Sequence, residues 1–366
     1  MRENDTVNVS DLLLLGQGSD LASERGVSCD GQLPPASDPD LLSRARAARK
    51  TLGTDALILG HHYQRNEVIE FADITGDSFK LAQEAANQSS VENIIFCGVH
   101  FMAESADILT SERQKIILPD LAAGCSMADM ATANQVTQCW SDLQSNGVAD
   151  QVIPVTYMNS SAAIKSFTGE HGGTICTSSN AEAAMKWAFS QGEKILFLPD
   201  QHLGRNTAVL SLGLTLEDCV LWNPWKPMGG LTEEQIKRAK VLLWRGHCSV
   251  HGRFSIESVN EIRSRVPGVQ VLVHPECTHE VVSAADKIGS TERIIKIVQE
   301  SPAGSKWAIG TELNLVQRIS QNNPDKEIYF LDKDICYCST MNRIDLPHLV
   351  WALESLVEGR VVNQIT

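Results

Sequence analysis

Three cysteines in this chain occupy equivalent places in three successive strand-and-helix units. Each cysteine follows a short apolar run that predicts a strand. They are Cys125 after the run at 115–120, Cys248 after the run at 240–244, and Cys338 after the run at 327–332. A fold that repeats the unit about a pseudo-threefold axis would bring the three thiols to one point. Three thiolates suit either zinc with a water ligand or an iron–sulfur cluster with one iron that lacks a cysteine.

The simpler alternative is that these are buried thiols in loops, and Cys336 competes with Cys338 within one loop. The chain has ten cysteines and no pair with the Cys-x-x-Cys spacing, which argues against a zinc ribbon or a thioredoxin-type site. The Cys336-x-Cys338 pair also raises the hypothesis of a redox-controlled disulfide.

Polar side chains cluster where the predicted strands end, and in parallel sheets that edge is where ligands bind. These candidates are His61, His62, Tyr63, Tyr157, Asn159, His274 and Glu276. Adjacent residues of a strand point to opposite sides, so at most one of His61 and His62 should enter a site. The imidazole of His274 and the carboxylate of Glu276 flank a proline that fixes the turn, and the two groups are usable as acid and base. A polar strand cap is the alternative for each.

Hydroxyl groups precede several predicted helices. Ser178, Ser290 and Thr291 lie at such positions, where hydroxyls and free backbone amides can bind a phosphate or a carboxylate. Ordinary N-capping is the better explanation of any single instance. Gly76 interrupts a helical pattern at 66–89, and a break that starts a helix at Ser78 would explain it.

Short, continuously apolar strands alternate with helices along the chain, which predicts parallel sheets covered by helices on both faces. We expect an α/β fold of three homologous three-layer α/β/α domains with short parallel sheets, around a pseudo-threefold axis with the cluster site at the centre. One β/α barrel is the alternative, and the cysteine grouping favours three units. The predicted segments are an N-terminal extension at 1–40, domains at 41–130, 131–250 and 251–340, and a C-terminal helix at 341–366.

Composition narrows the classes of partner. The 366 residues are 43% apolar, and the net charge of −14 argues against binding nucleic acid. No apolar run approaches the ~20 residues of a transmembrane helix. The N-terminal stretch is too short and too acidic in its flanks for a secretory signal, so we expect a cytoplasmic protein without a membrane partner.

With these motifs together, the sequence closely resembles the quinolinate synthase family of NAD biosynthesis. The motifs that carry the resemblance lie at 61–64, 97–104, 123–128, 157–161, 176–180, 199–204, 244–251, 274–277, 289–292, 310–312 and 338–342. The resemblance implies three homologous α/β/α domains around a 4Fe–4S cluster. Its cysteine ligands, one from each domain, would be Cys125, Cys248 and Cys338. The family motif favours Cys338 over Cys336.

The resemblance further implies that iminoaspartate condenses with dihydroxyacetone phosphate to give quinolinate, phosphate and water, with the open iron as Lewis acid. Tyr63, Glu276, His61 and His274 would be catalytic. The substrate-binding residues would be His61, Ser78, Tyr157, Asn159, Ser178, His274, Glu276, Ser290 and Thr291. L-aspartate oxidase is the expected supplier of the imine. A cluster-dependent hydro-lyase, an electron carrier and a zinc hydrolase remain as alternatives.

Overall fold

The computed structural model describes residues 33–333 and 337–366. Residues 1–32 of the predicted extension and Cys336 lie outside the described residues. The first helix of the described residues, α1 (Leu41–Leu52), buries Leu41, Ala45 and Ala48. In the part of the chain described, thirteen strands then form three separate sheets, and all the pairs within these sheets are parallel. The α/β fold with three parallel sheets is therefore confirmed, and the single barrel is wrong.

The first sheet has the order β2-β1-β3-β4. Its elements run β1 (Ala56–His61), α2 (Asn66–Ile69), β2 (Ile74–Gly76), α3 (Ser78–Asn87), β3 (Asn93–Cys97), α4 (His100–Leu109) and β4 (Lys115–Ile117). The helical stretch expected near 66–89 is interrupted by a strand, because residues 74–76 pair with β1. A helix does begin at Ser78, as the glycine break predicted. Asp77 caps it by accepting the N–H of Lys80 at 2.9 Å.

The second sheet has five strands in the order β6-β5-β7-β9-β8. Its elements run α5 (Ala133–Ser145), β5 (Val152–Tyr157), α6 (Ala162–Glu170), β6 (Thr174–Cys176), α7 (Ala181–Gln191), β7 (Lys194–Leu198), α8 (Gln201–Asn206), β8 (Cys219–Trp222), α9 (Glu233–Arg238) and β9 (Val241–Trp244). The sequence pattern missed β8, which adds an outer strand beside β9.

The third sheet has the order β11-β10-β12-β13. Its elements run α10 (Ile256–Arg265), β10 (Gln270–Val273), α11 (His279–Ala284), β11 (Lys287–Ile288), α12 (Thr291–Glu300), β12 (Lys306–Gly310), α13 (Leu313–Asn322) and β13 (Glu327–Phe330). With β8 set aside, the three sheets share one strand order. The strands that precede the three cysteines, β4, β9 and β13, therefore hold the same place in their sheets.

The C-terminal residues return to the first sheet. Helix α14 (Leu346–Val357) packs on α1, where Arg44 donates to both carboxylate oxygens of Glu354 at 2.9 and 2.6 Å. Beyond this helix, the N–H of Ile365 donates to the carbonyl of Ile116 at 2.8 Å. The chain end thus extends the sheet whose outer strand leads to Cys125.

Candidate active site and metal centre

One cavity lies where the carboxyl ends of the three sheets meet. Twelve of the residues singled out from the sequence line it: His61, Tyr63, Ser78, Cys125, Tyr157, Asn159, Ser178, Cys248, His274, Glu276, Thr291 and Cys338. Ser290 is buried but is not among the lining residues, and its carbonyl accepts the N–H of Ile294 within α12. The structure thus brings these residues together, while their individual roles remain predictions.

Each of the three cysteines lies in a backbone turn of the same kind. The carbonyl of each cysteine accepts the N–H of the residue four positions further along the chain: Cys125 from Asp129 at 3.1 Å, Cys248 from Gly252 at 2.9 Å, and Cys338 from Asn342 at 3.0 Å. The hydroxyl of Thr340 lies 3.4 Å from the sulfur of Cys338. Backbone amides of these turns lower the pKa of each thiol and so favour the thiolate, which means that the turn fits three ligands of one metal centre.

Burial opposes the ionised form of these thiols. It raises the pKa of Cys125 to about 12 and raises the pKa of Cys248 and of Cys338 above the ordinary value. A thiolate here needs a compensating positive charge, and a bound metal supplies one because its thiol ligands bind deprotonated. The donor set therefore fits a thiolate-bound metal or cluster.

A second group of possible metal donors overlaps the first. Cys248, His251 and Glu276 each offer a ligand atom, and these atoms lie within 4.8 Å of one another. The imidazole of His251 is already engaged, because its Nδ1 lies 2.8 Å from Glu276 Oε2 and its Nε2 lies 3.2 Å from Thr311 Oγ1. These contacts favour the three thiols as the primary donors.

The two histidines after β1 have different surroundings. His61 lines the cavity, and its Nδ1 accepts the N–H of Tyr63 at 3.1 Å. Burial lowers the pKa of His61 to about 3, so the ring is neutral and carries its proton on Nε2. His62 instead pairs through Nε2 with Glu292 at 2.9 Å. His61 is therefore the one of the pair that can donate to a ligand.

Glu276 is the buried carboxylate of the site. Its Oε1 accepts the hydroxyl of Tyr157 at 2.5 Å, and the rings of His251 and His274 stack at 4.4 Å beside it. Burial would raise the pKa of Glu276, but the neighbouring imidazoles of His274 and His251 and the donors from His251 and Tyr157 outweigh burial and hold the pKa below the ordinary value. The carboxylate is thus ionised and fixed on both oxygens.

The two tyrosines and His274 around Glu276 are neutral. Burial and the charge of Glu276 raise the pKa of Tyr63 and of Tyr157, so both phenols keep their protons. Burial lowers the pKa of His274 to about 3, and its Nδ1 accepts the N–H of Glu276 at 3.4 Å. A neutral His274 therefore presents Nε2–H as a donor, like His61.

Helix N-termini face the cavity with their hydroxyl residues. Thr291 is the first residue of α12, and the residue before it makes no side-chain cap. Ser178 lies in the loop before α7, which also begins without a side-chain cap. Helix α3 differs, because the carboxylate of Asp77 already caps it next to Ser78. The N-termini of α12 and α7 are therefore better suited to hold an anion.

His251 and Thr311 also belong to the site, although neither was predicted from the sequence. Both belong to motifs quoted above, but only Thr311 directly follows a strand, β12, whereas His251 lies seven residues beyond the end of β9. Their buried hydrogen bonds connect Glu276 to Tyr63. The strand-end rule that selected His61 and His274 was the available signal for Thr311.

Three parallel sheets that direct thiols, neutral imidazoles, a buried carboxylate and helix N-termini into one cavity define a small-molecule enzyme with a metal centre. The family model described as quinolinate synthetase A protein matches residues 44–365. The chain belongs to this family, and the prediction of an enzyme of NAD biosynthesis is confirmed.

Known relatives are similar over most of their length. A protein of Streptomyces coelicolor named quinolinate synthase is 69% identical over 356 residues, which cover 97% of this chain and 90% of that protein. A protein of the same name from Corynebacterium glutamicum is 56% identical, over 90% of this chain and 84% of that protein. One from Bacillus subtilis is 54% identical, over 88% of this chain and 87% of that protein. In the described ranges, no helix is long and apolar enough to cross a membrane.

Proposed function

We propose that this chain condenses iminoaspartate with dihydroxyacetone phosphate to form quinolinate, phosphate and water. The observation that carries the proposal is the repeated thiol turn in one cavity with the Tyr157–Glu276–His251 network. Family membership and the shared name of the relatives support the product. The chain would act on small molecules, with L-aspartate oxidase as the source of the imine.

We further propose that Cys125, Cys248 and Cys338 hold a 4Fe–4S cluster. When bound, such a cluster with three cysteine ligands supplies one iron that can act as a Lewis acid toward a substrate oxygen. The same backbone turn at all three cysteines and the burial of their thiols support this ligand set. Zinc on the same thiols is the competing occupant, and the iron, sulfide and zinc content of the chain distinguishes the two.

The chain's own residues would perform the binding and proton transfers. The Nε2–H groups of His61 and His274 would donate to carbonyl or carboxylate oxygens of the substrates. Thr291 and Ser178, at the two helix ends without side-chain caps, would bind the phosphate and a carboxylate, with Asn159 and Ser78 orienting the ligand. The ionised Glu276 would accept a proton during isomerisation and return one during dehydration, with Tyr63 as the second acid–base group.

The test is quinolinate formation by anaerobically prepared chain supplied with both substrates, with iron and acid-labile sulfide measured on the same sample. Substituting alanine for Cys125, Cys248 or Cys338 in turn should lower iron content and abolish the product. Cys139→Ala is the matched control, since that thiol is buried on α5 outside the cavity. Zinc without iron, or a full cluster without product, would contradict the proposal.

A further inference from the structure

A buried lysine holds the loop that follows β5 from behind. Lys165 lies on α6 one helical turn after Ser161, and helical side chains lean toward the N-terminus of their helix. Its amine therefore reaches back over the start of α6, where it donates to the carbonyl of Ser160 at 2.5 Å. Among the described residues, no other group donates to this carbonyl. Only 8% of Lys165 is exposed, so a buried acceptor of the loop depends on one buried amine.

The loop at 157–161 presents two residues to the cavity. Tyr157 and Asn159 line the cavity, and Ser160, the next residue along the chain, is fully buried. The hydroxyl of Ser160 donates to the carbonyl of Tyr157 at 2.8 Å, which ties the two parts of the loop together. A shift of the Ser160 carbonyl would therefore move Tyr157 and Asn159 relative to the cavity.

The first unit holds the same loop from the other side. Oε2 of Glu104, on α4, accepts the N–H of Ala162, the first residue of α6, at 3.2 Å. A carboxylate at a helix N-terminus is favourable because the backbone N–H groups point toward it. Phe101, one turn earlier on α4, places its ring centre 5.5 Å from the amine of Lys165, within the range of a cation–π contact. Helix α4 thus contacts both Lys165 and the start of α6 across the junction of the first and second units.

Packing alone does not explain a lysine at this position. Burial lowers the pKa of Lys165 to about 8, against the opposing effect of the Glu104 carboxylate. Of the charged groups in the described residues, Glu104 is the one that acts on this pKa. Burying an ammonium group is costly, and an apolar side chain of the same length would fill the space without that cost. The amine is therefore needed for its hydrogen bond to the loop.

We propose that Lys165 and Glu104 are positioning residues for catalysis, which hold the loop at 157–161 between the first and second units; the proposal rests on the proposed function. Neither side chain lines the cavity, so each acts through the loop. Lys165 fixes the carbonyl of Ser160, and Glu104 fixes the N–H of Ala162. Together they set where Tyr157 meets Glu276.

The kinetic test compares Lys165→Met with Lys194→Met at equal iron content. Methionine keeps an unbranched side chain and removes the amine. Lys194 is the matched control, because it is 5% exposed and donates to the carbonyls of Lys237 and Ala239 at the opposite end of the second sheet. We expect kcat to fall about tenfold or more in Lys165→Met and to stay within about twofold in Lys194→Met. Wild-type kcat in Lys165→Met, or an equal fall in both variants, would overturn the proposal.

Glu104 provides a second pair of variants, which decides the proposal even if Lys165→Met does not fold. Glu104→Ala removes the acceptor, whereas Glu104→Gln keeps an oxygen that can accept the N–H of Ala162. We expect kcat to fall in Glu104→Ala by about as much as in Lys165→Met, and Glu104→Gln to restore most of it. Combining Glu104→Ala with Lys165→Met should cost little more, because both changes release the same loop. No recovery in Glu104→Gln would overturn the proposal.

A further measurement does not depend on turnover. Amide hydrogen exchange of the folded chain reports how tightly the loop is held. In Lys165→Met, the amide of Ala162 should exchange about tenfold faster than in wild type, although its acceptor Glu104 is unchanged, while exchange in β7 stays the same. Unchanged exchange at Ala162 would overturn the proposal. If the wild-type chain makes no quinolinate, the proposed function falls, and this measurement still decides whether Lys165 holds the loop.

Discussion

The hydroxyl of Tyr157 donates to Oε1 of Glu276 at 2.5 Å, across the junction of the second and third units. Both side chains are buried, at 6% and 2% exposure. A bond of this kind between a phenol and an ionised carboxylate is among the stronger hydrogen bonds in proteins. It ties the proposed proton acceptor to a strand of a different sheet, so the geometry of the site depends on how the units pack.

Removing that donor should change the pH dependence of catalysis. Glu276 has a pKa held below the ordinary value, and Tyr157→Phe removes one of the donors that hold it there. The pKa should therefore rise, and the acid limb of the kcat profile should move to higher pH by about one to two units.

The measurement is a pH–rate profile on variants with equal iron content. Tyr329→Phe is a matched control, because Tyr329 also donates to a carboxylate, Glu327 at 2.8 Å, on β13 away from the cavity. An acid limb that stays in place in Tyr157→Phe would show that this bond does not tune Glu276.

Two glycines near Cys248 should differ in their tolerance of alanine. A Cβ at Gly246 would lie 2.3 Å from the carbonyl oxygen of Pro199, whereas a Cβ at Gly252 would meet only His247 at 3.6 Å. Gly246→Ala should therefore displace the loop that carries Cys248 and destabilise the fold by about 1–3 kcal/mol. Gly252→Ala should be close to neutral.

Thermal unfolding and iron content of the two variants check this expectation. We expect Gly246→Ala to lose both melting temperature and iron, since the displaced loop presents one of the three thiols. Equal iron content in both variants would mean that the loop adapts without moving the sulfur of Cys248.

The contact between His62 and Glu292 should contribute stability in a defined pH range. The hydrogen bond from His62 lowers the pKa of Glu292 to about 2 against the opposing effect of burial, and Lys80 adds to it. A carboxyl group whose pKa is lowered by folding stabilises the folded state at every pH above its pKa in the unfolded chain, which is near 4.5. That contribution is lost as the pH falls toward 2.

Glu292→Gln should therefore unfold more readily than wild type at pH 5–7, with a difference that shrinks as the pH falls below about 4.5. The carboxylate is partly exposed, so the effect should be small. Glu300→Gln on the same helix is the control, since its contact with Lys296 is exposed. A difference that grows on acidification would contradict the assigned cause.

The strand pattern predicted much of the fold because the central strands are continuously buried. The six residues of β1 and the five of β7 have no exposed position, so their apolar runs stand out in the sequence. Strands β2 and β11 have three and two residues and carry too little pattern to detect. The outer strand β8 was missed as well, and its first three residues are only partly buried.

The ends of the predicted strands also explain which residues of the site could be predicted from the sequence. The residues that follow β1, β5 and β10 meet at one edge because parallel strands end together, so His61, Tyr157 and His274 were accessible to prediction. The contact of Tyr63 with Thr311 joins residues 248 positions apart through the packing of two units. No spacing within the sequence encodes such a contact, and His251 was left aside for the same reason.

Under the proposed function, three thiols from three units hold one iron–sulfur cluster with an open iron. The most direct measurement is the Mössbauer spectrum of the anaerobic, ⁵⁷Fe-loaded chain before and after dihydroxyacetone phosphate is added. We predict about four irons per chain, of which one changes its spectrum when the ligand binds. Four irons that all stay unchanged with the ligand bound, or a chain that retains zinc instead of iron, would contradict the account.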